Sequence, residues 1–224
     1  MAVAAARNFG LKGGGRVYVC DVARGCVRGV LDLRDGAVVA MASRNTEDVY
    51  FRPIVALVPG SVFKIVVATA AIQSGQYTPE SKLPNPVKFK LPGTNTYVQN
   101  SGEGKCGGKA TVSIADALRF SCNVPFAQLG IKLGQDRIRA QAELFGFGKN
   151  LEFPMTSTAS VYPKGMDEAQ TGLSAFGQFD VRVTPLQMAM VSAAIANKGV
   201  LMQRENGVGM EVLSQLREGR KVVV

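Results

Sequence analysis

Ser61 and Lys64 stand three residues apart in Pro59-Gly60-Ser61-Val62-Phe63-Lys64, just ahead of the apolar run Ile65 to Ile72. Side chains at i and i+3 share one face of a helix, so an amine placed there can act on the serine's proton. A hydroxyl beside a base is what nucleophilic acyl transfer requires. The chain has no histidine, which excludes Ser-His-Asp and Cys-His systems and the common histidine-ligated zinc sites. Acid–base work then falls to Lys, Asp, Glu, Tyr or Cys. Chance supplies a Ser-x-x-Lys pair in such a composition about as often as not, and Ser61 alone reads equally well as a helix cap. Ser121-Cys122-Asn123 is no rarer: Ser43-Arg44-Asn45 repeats its spacing, and Asn123 alone reads as an N-cap.

Other candidate chemistry falls away. Gly102-Glu103-Gly104-Lys105-Cys106-Gly107-Gly108-Lys109 invites a phosphate-loop reading, but Ala110 stands where Ser or Thr should hold magnesium. A mobile glycine loop is the better expectation. Asp32, Glu103, Asp116, Glu143, Asp167 and Asp180 show no paired or metal-ligand spacing. Cys20, Cys26, Cys106 and Cys122 lack the C-x-x-C spacing of a zinc or thioredoxin-like site. Neither a metal nor a cofactor is expected.

The elements that must position these residues are legible in outline. A helix is predicted from about Gly60 to Ser74, closed by Gly75. Val27 to Leu33 and Ala37 to Ala42 flank Arg34-Asp35-Gly36, a hairpin signal. Residues 76 to 110 read as an extended excursion with one short hairpin. Ser113-Ile114-Ala115-Asp116 resembles a capping box for a short helix ending at Phe120. Asn123-Val124-Pro125 starts a helix through Leu133, stopped by Gly134, and another covers Asp136 to Phe145. Thr184-Pro185 places a capping hydroxyl before a first-turn proline, with the helix running through Ala196 and Gly199 closing it.

The 224 residues, 46% hydrophobic, suffice for one sizeable domain. Residues 1 to 16 are small and Gly-rich and are expected to form a loose tail. The expected organisation is a poorly ordered segment over 1–24, one domain with a helical insertion over 25–202, and a C-terminal segment over 203–224. The net charge of +9 suits an anionic partner, but the cations are spread along the chain and no nucleic-acid motif accompanies them, so no nucleic-acid binding is expected. No run reaches the roughly 18 apolar residues of a membrane span, and Met1 to Ala6 is too short for a signal-peptide core. The sequence as it stands predicts a soluble chain without an export signal.

The combination of segments lifts the two motifs above chance. Pro59 to Lys64, then Ser121-Cys122-Asn123, then Gly177-Gln178 with Val183-Thr184-Pro185-Leu186-Gln187-Met188-Ala189 resembles the transpeptidase domain of penicillin-binding proteins. The likeness is to the monofunctional class B type of actinobacterial cell-wall synthases and spans roughly residues 27 to 202. Cys106-Gly107-Gly108, Ala115 to Leu118 and Phe126 to Gly130 support it.

The resemblance implies an α+β fold, penicillin-binding/β-lactamase-like, with a helical subdomain and an antiparallel sheet. It implies a serine D,D-transpeptidase that binds β-lactams and peptidoglycan stem peptides ending in D-Ala-D-Ala. Ser61 would be the nucleophile and Lys64 its general base. Ser121 would relay a proton, and Asn123 would hold Lys64 and bond the substrate amide. The Ser61 N–H would supply half of an oxyanion hole. Relatives of this type are membrane-anchored and extracytoplasmic. If Cys106 and Cys122 pair, they would brace the glycine loop against the Ser121–Asn123 turn, as an extracytoplasmic enzyme tolerates.

The family's third motif, Lys-Thr/Ser-Gly, does not occur in these residues, and the expectation is a chain truncated before that strand, lacking the C-terminal strands and final helix. Two readings stay open: an acyltransferase, or a catalytically inert remnant that binds ligand or partner. A class D-like β-lactamase would share Ser-x-x-Lys but needs the same absent strand motif.

Overall fold

The computed structural model describes the backbone of four strands within residues 2–43, residues 56–102, 104–151, 157–196 and 198–201, and a terminal strand at 222–223. The chain divides into two compact units: Met1–Leu57 with Glu143–Val161 and Arg182–Val224, and Val58–Ala142 with Tyr162–Val181.

The first unit is built on strands β1 (Ala2–Asn8), β2 (Gly15–Asp21), β3 (Gly25–Leu31) and β4 (Val38–Ser43). They form an antiparallel meander in sequence order. The hairpin read around Asp35-Gly36 is present as β3–β4, with Val30 opposite Ala40 and an irregularity before Leu31–Val38; its turn lies outside the described residues. The loose tail expected over residues 1–16 is corrected: β1 and β2 pair from Ala2–Asp21 to Asn8–Gly15. A run of alanines carries little period-2 signal, and strand formation there depends on the partner that pairs with it rather than on local propensity.

Helix α6 (Pro185–Ala196) packs on this sheet. Thr184 caps it, its Oγ1 accepting from Gln187 N at 3.1 Å, and Pro185 occupies a first-turn position that needs no N–H. Buried Gln187 donates through Nε2 to the Phe145 carbonyl. Gly199, at φ +82°, closes the helix. The short strands β9 (Val200–Leu201) and β10 (Val222–Val223) pair antiparallel.

The second unit is mainly helical. A 3-10 turn over Gly60–Phe63 runs into α1 (Lys64–Gln73), with Gly75 at φ +72° ending it. The excursion after it holds β5 (Lys82–Pro84), β6 (Lys88–Lys90), β7 (Tyr97–Gln99) and β8 (Thr111–Ser113); β6 and β7 form the single hairpin and β5 pairs with β8. Then come α2 (Ile114–Arg119), α3 (Asn123–Leu133) and α4 (Gln135–Leu144). Ser113 caps α2 through Asp116 N at 3.1 Å, and Gly134, at φ +79°, ends α3. α5 (Glu168–Ser174) has no counterpart in the sequence reading. Its signal was present in Asp167-Glu168-Ala169-Gln170, which closes a complete capping box.

Helices α1, α3 and α5 build the core around Phe63, Val66, Val67, Phe126 and Leu129, all fully buried. α3 and α5 meet at Gly130, where a Cβ would overlap the Ala175 methyl. That close approach fixes the helix that carries Asn123. Gly130→Ala is expected to lower unfolding free energy by about 1–3 kcal/mol through overpacking. Urea denaturation checks this; an unchanged midpoint would show that α3 and α5 have room to spare.

Candidate active site

All four residues singled out from the sequence converge in the second unit. Lys64, at the first position of α1, is fully buried and is the only charged residue type so placed among the described residues. Its Nζ lies 3.0 Å from Ser61 Oγ, 3.1 Å from Ser121 Oγ, 2.7 Å from the Ser121 carbonyl oxygen and 2.7 Å from Asn123 Oδ1. The Ser61–Lys64 contact follows from their spacing through the 3-10 turn and the start of α1. Neither residue's neighbours provide a side-chain cap there, so the cap reading of Ser61 is set aside. Likewise the N-cap of α3 is Cys122, not Asn123.

The four contacts set a proton inventory. An ammonium has three N–H groups for four oxygens; a neutral amine has two and a lone pair. The two shortest contacts, Ser121 O and Asn123 Oδ1, can only accept. A neutral Lys64 therefore spends both N–H groups on them, and its lone pair is left facing the hydroxyls of Ser61 and Ser121. The neutral form is favoured: burial lowers the Lys64 pKa from 10.5 to about 7. Among the described residues no carboxylate pairs with it, and the Phe126 ring lies 5.9 Å from Nζ to its centroid, at the outer limit of a cation–π contact. Near neutral pH far more of the amine is then unprotonated than for an ordinary lysine.

Ser121 holds its place in a conformation side chains rarely adopt, φ +57°. Its N–H reaches Leu118 O and the next N–H, of Cys122, reaches Ala117 O, so the end of α2 clamps the turn. This conformation turns the Ser121 carbonyl onto Lys64. A disulfide joins Cys122 to Cys106, 5.6 Å apart at Cα. Closing a 16-residue separation is worth about 3 kcal/mol against the unfolded chain. The glycine loop expected to be mobile is pinned by this bridge and by Asn85, whose Nδ2 donates to Cys106 O at 2.7 Å and Lys109 O at 2.8 Å.

Four contributors were not legible from spacing. Gly177 accepts from Gly60 N at 2.9 Å, and its own φ is +77°. A Cβ there would overlap the Gly60 carbonyl, one residue before Ser61; the Gly-Gln segment is a backbone support for the turn that carries Ser61. Asn100 and Gln99 hold Asn123, as described below. Tyr162 stacks on Phe63 within the Ser61–Lys64 turn, centroids 5.6 Å apart, and burial pushes its phenol up to about 12, where it stays a neutral partner for Ser174 at 2.8 Å. No group of three or more metal-ligating residues occurs among the described residues.

A buried lysine within hydrogen-bond distance of two serine hydroxyls is the arrangement that serine acyl transfer needs. The family model of the penicillin-binding protein transpeptidase domain matches residues 27–205, and the chain belongs to that family. Peptidoglycan D,D-transpeptidase PbpA of Mycolicibacterium smegmatis is 38% identical over 146 residues, 65% of this chain and 30% of that protein. The Mycobacterium tuberculosis protein of the same name is 37% identical over the same length. Penicillin-binding protein A from M. tuberculosis, solved as a ceftriaxone acyl-enzyme complex, superposes with a TM-score of 0.74 at 29% identity, covering 79% of this chain and 46% of that one. The D,D-transpeptidase domain of an Eggerthella lenta peptidoglycan glycosyltransferase gives 0.70 at 28% identity. The α+β transpeptidase fold is thereby established. The chain spans about a third of the length of these curated relatives and about half of the solved structures it matches.

The depressed Lys64 has a consequence for stability. Between about pH 7 and 10.5 the unfolded chain holds a proton on Lys64 that the folded chain has released. Unfolding free energy therefore rises with pH across that window, and the cost of burying the amine is complete below it. From pH 7.5 to 9 the protein should gain about 2 kcal/mol relative to Lys64→Met, at up to roughly 1.4 kcal/mol per pH unit. Urea titrations at the two pH values test it; parallel pH dependence in the two proteins would contradict a neutral Lys64.

Proposed function

We propose that this domain forms an acyl-enzyme at Ser61 with peptides ending in D-Ala-D-Ala and with β-lactams, and so serves the cross-linking of peptidoglycan as a D,D-transpeptidase. The single observation that carries the proposal is the buried Lys64 amine, whose Nζ lies 3.0 Å from Ser61 Oγ. The amine takes the Ser61 proton as Oγ attacks the carbonyl carbon, forming a C–O bond. The Ser61 N–H, at the start of the 3-10 turn, faces the developing oxyanion. Ser121, bonded to the same amine at 3.1 Å, passes the proton to the leaving nitrogen as the C–N bond breaks. With a peptide the terminal D-alanine departs and an acceptor amine later displaces Ser61, forming the new amide. With a β-lactam the amine stays tethered, so the ester persists.

Asn123 presents one amide N–H to Gln99 O at 3.1 Å, which leaves the second for the substrate's amide carbonyl. The reading rests on the first two motifs, since Lys-Thr/Ser-Gly is not among these residues. A peptidoglycan substrate would put the reaction outside the cytoplasm, and the Cys106–Cys122 bridge supports that reading, since disulfides persist in oxidising compartments. No helix of the described residues is long and apolar enough to cross a membrane.

Incubation with a fluorescent penicillin, followed by peptide mass spectrometry, is expected to show one adduct, at Ser61. Ser61→Ala should abolish it, and Lys64→Met should slow it by at least about 1000-fold, as loss of an activating base does. A folded protein that acquires no adduct would instead support a domain that binds ligand without acylation.

A further inference from the structure

The first turn of α3 is capped from outside its own chain segment. A helix N-terminus leaves its first N–H groups without intrahelical partners, and a side chain at the N-cap normally accepts from them. Cys122 occupies that position, but its sulfur is committed to Cys106 and makes no cap bond. Pro125, the third residue, has no N–H to satisfy. The two remaining donors, Asn123 N and Val124 N, both go to one atom: Oδ1 of Asn100, at 2.9 and 3.0 Å.

Asn100 is itself buried, 4% exposed, and its amide has one workable orientation. Nδ2 donates to Gly104 O at 3.2 Å and faces Asn85 Oδ1 at 3.4 Å. Asn85 is fully buried and spends its own Nδ2 on Cys106 O and Lys109 O. Turning the Asn100 amide over would set its nitrogen against two N–H donors and its oxygen against two acceptors. The preceding residue completes the hold, because Gln99 O accepts from Asn123 Nδ2 at 3.1 Å. That bond fixes which end of the Asn123 amide points at Lys64. Residues 99 and 100 thus grip Asn123 by side chain and by backbone.

We propose that Asn100 is a positioning residue for acyl transfer: by capping α3 it holds Asn123 Oδ1 on Lys64 and keeps the lysine buried. The inference rests on the assignment of Lys64 as the base, yet it concerns the geometry around the amine and can be read without any reaction. Removing Asn100 strips two buried N–H groups of their acceptor, which costs each its desolvation. The first turn of α3 then loosens, Asn123 draws away and water reaches Lys64. Since burial is what lowers the lysine's proton affinity, opening the site raises it.

The test compares the wild type with Asn100→Leu, of similar volume, and Asn100→Asp, which keeps an acceptor oxygen for both N–H groups. The first readout is the titration of Lys64, followed by the NMR shift of its Cε and assigned with Lys64→Met. The second is hydrogen exchange at Asn123 and Val124. The third is the second-order rate of penicillin acylation. Asn100→Leu is expected to raise the Lys64 midpoint by a unit or more and to speed exchange at the two amides about 10- to 100-fold, with acylation slowed similarly. Asn100→Asp should protect the two amides better than Asn100→Leu but short of the wild type, because its second oxygen has no N–H for Gly104 O and Asn85 Oδ1. Ile138→Val, in the core of the same unit, should cost stability yet leave the Lys64 midpoint in place.

A folded Asn100→Leu protein with wild-type Lys64 midpoint and amide exchange would overturn the proposal. Should it not fold, Asn100→Ser, whose shorter hydroxyl cannot reach both N–H groups, decides the same question. If the wild type takes no penicillin, the functional assignment fails while the midpoint and exchange data still settle the role of Asn100.

Discussion

The structure of the site depends on the burial of one amine among four oxygens. Lys64 Nζ meets two hydroxyls and two carbonyl-type oxygens within 3.1 Å, with no counter-charge among the described residues. Burying a lysine this way works against stability, because a dry environment disfavours the ammonium. Burial lowers the lysine's proton affinity, and that lowering is what would let it act as the base proposed above. The Ser121 carbonyl and Asn123 Oδ1 do the selecting: as pure acceptors they occupy the N–H groups and turn the lone pair to the serines. Charge cost, hydrogen-bond inventory and chemistry are one constraint seen from three sides.

Much of the surrounding architecture holds those oxygens still. Ser121 sits at φ +57°, a conformation that costs a kcal/mol or more and persists only when its surroundings fix it. The end of α2 clamps it on one side, and the Cys106–Cys122 bridge holds the next residue. Gly177 supports the turn before Ser61 through Gly60, and the Gly130–Ala175 contact seats the helix that carries Asn123. These are backbone and packing devices. The proposed chemistry belongs to four side chains, but their placement belongs to glycines, a bridge and two buried asparagines.

This division explains what could be read from the sequence. Helix ends at Gly75, Gly134 and Gly199, the caps at Ser113 and Thr184, and the Asp-Gly hairpin signal are local events, set by one residue's backbone freedom or one hydroxyl, and the structure has elements where those signals put them. The Ser61–Lys64 contact is local too, arising from i,i+3 spacing. Ser121 and Asn123 were visible only through resemblance, because no local rule brings a residue 57 positions away to Lys64. Asn100 carried no signal at all: Asn100-Ser101-Gly102 reads as a turn, and its role exists only once β7 lies beside α3. Strands β1 and β2 were missed for a related reason, since pairing rather than propensity forms them.

The central claim is that Lys64 works as a neutral base because the fold has dried it. Its most direct test is the pH dependence of the second-order rate constant for acylation of Ser61 by a penicillin. The account predicts a rate that rises with a midpoint near pH 7, the value to which burial lowers Lys64, and levels off above it. A rate still climbing toward a midpoint near 10.5, the ordinary lysine value, would contradict it.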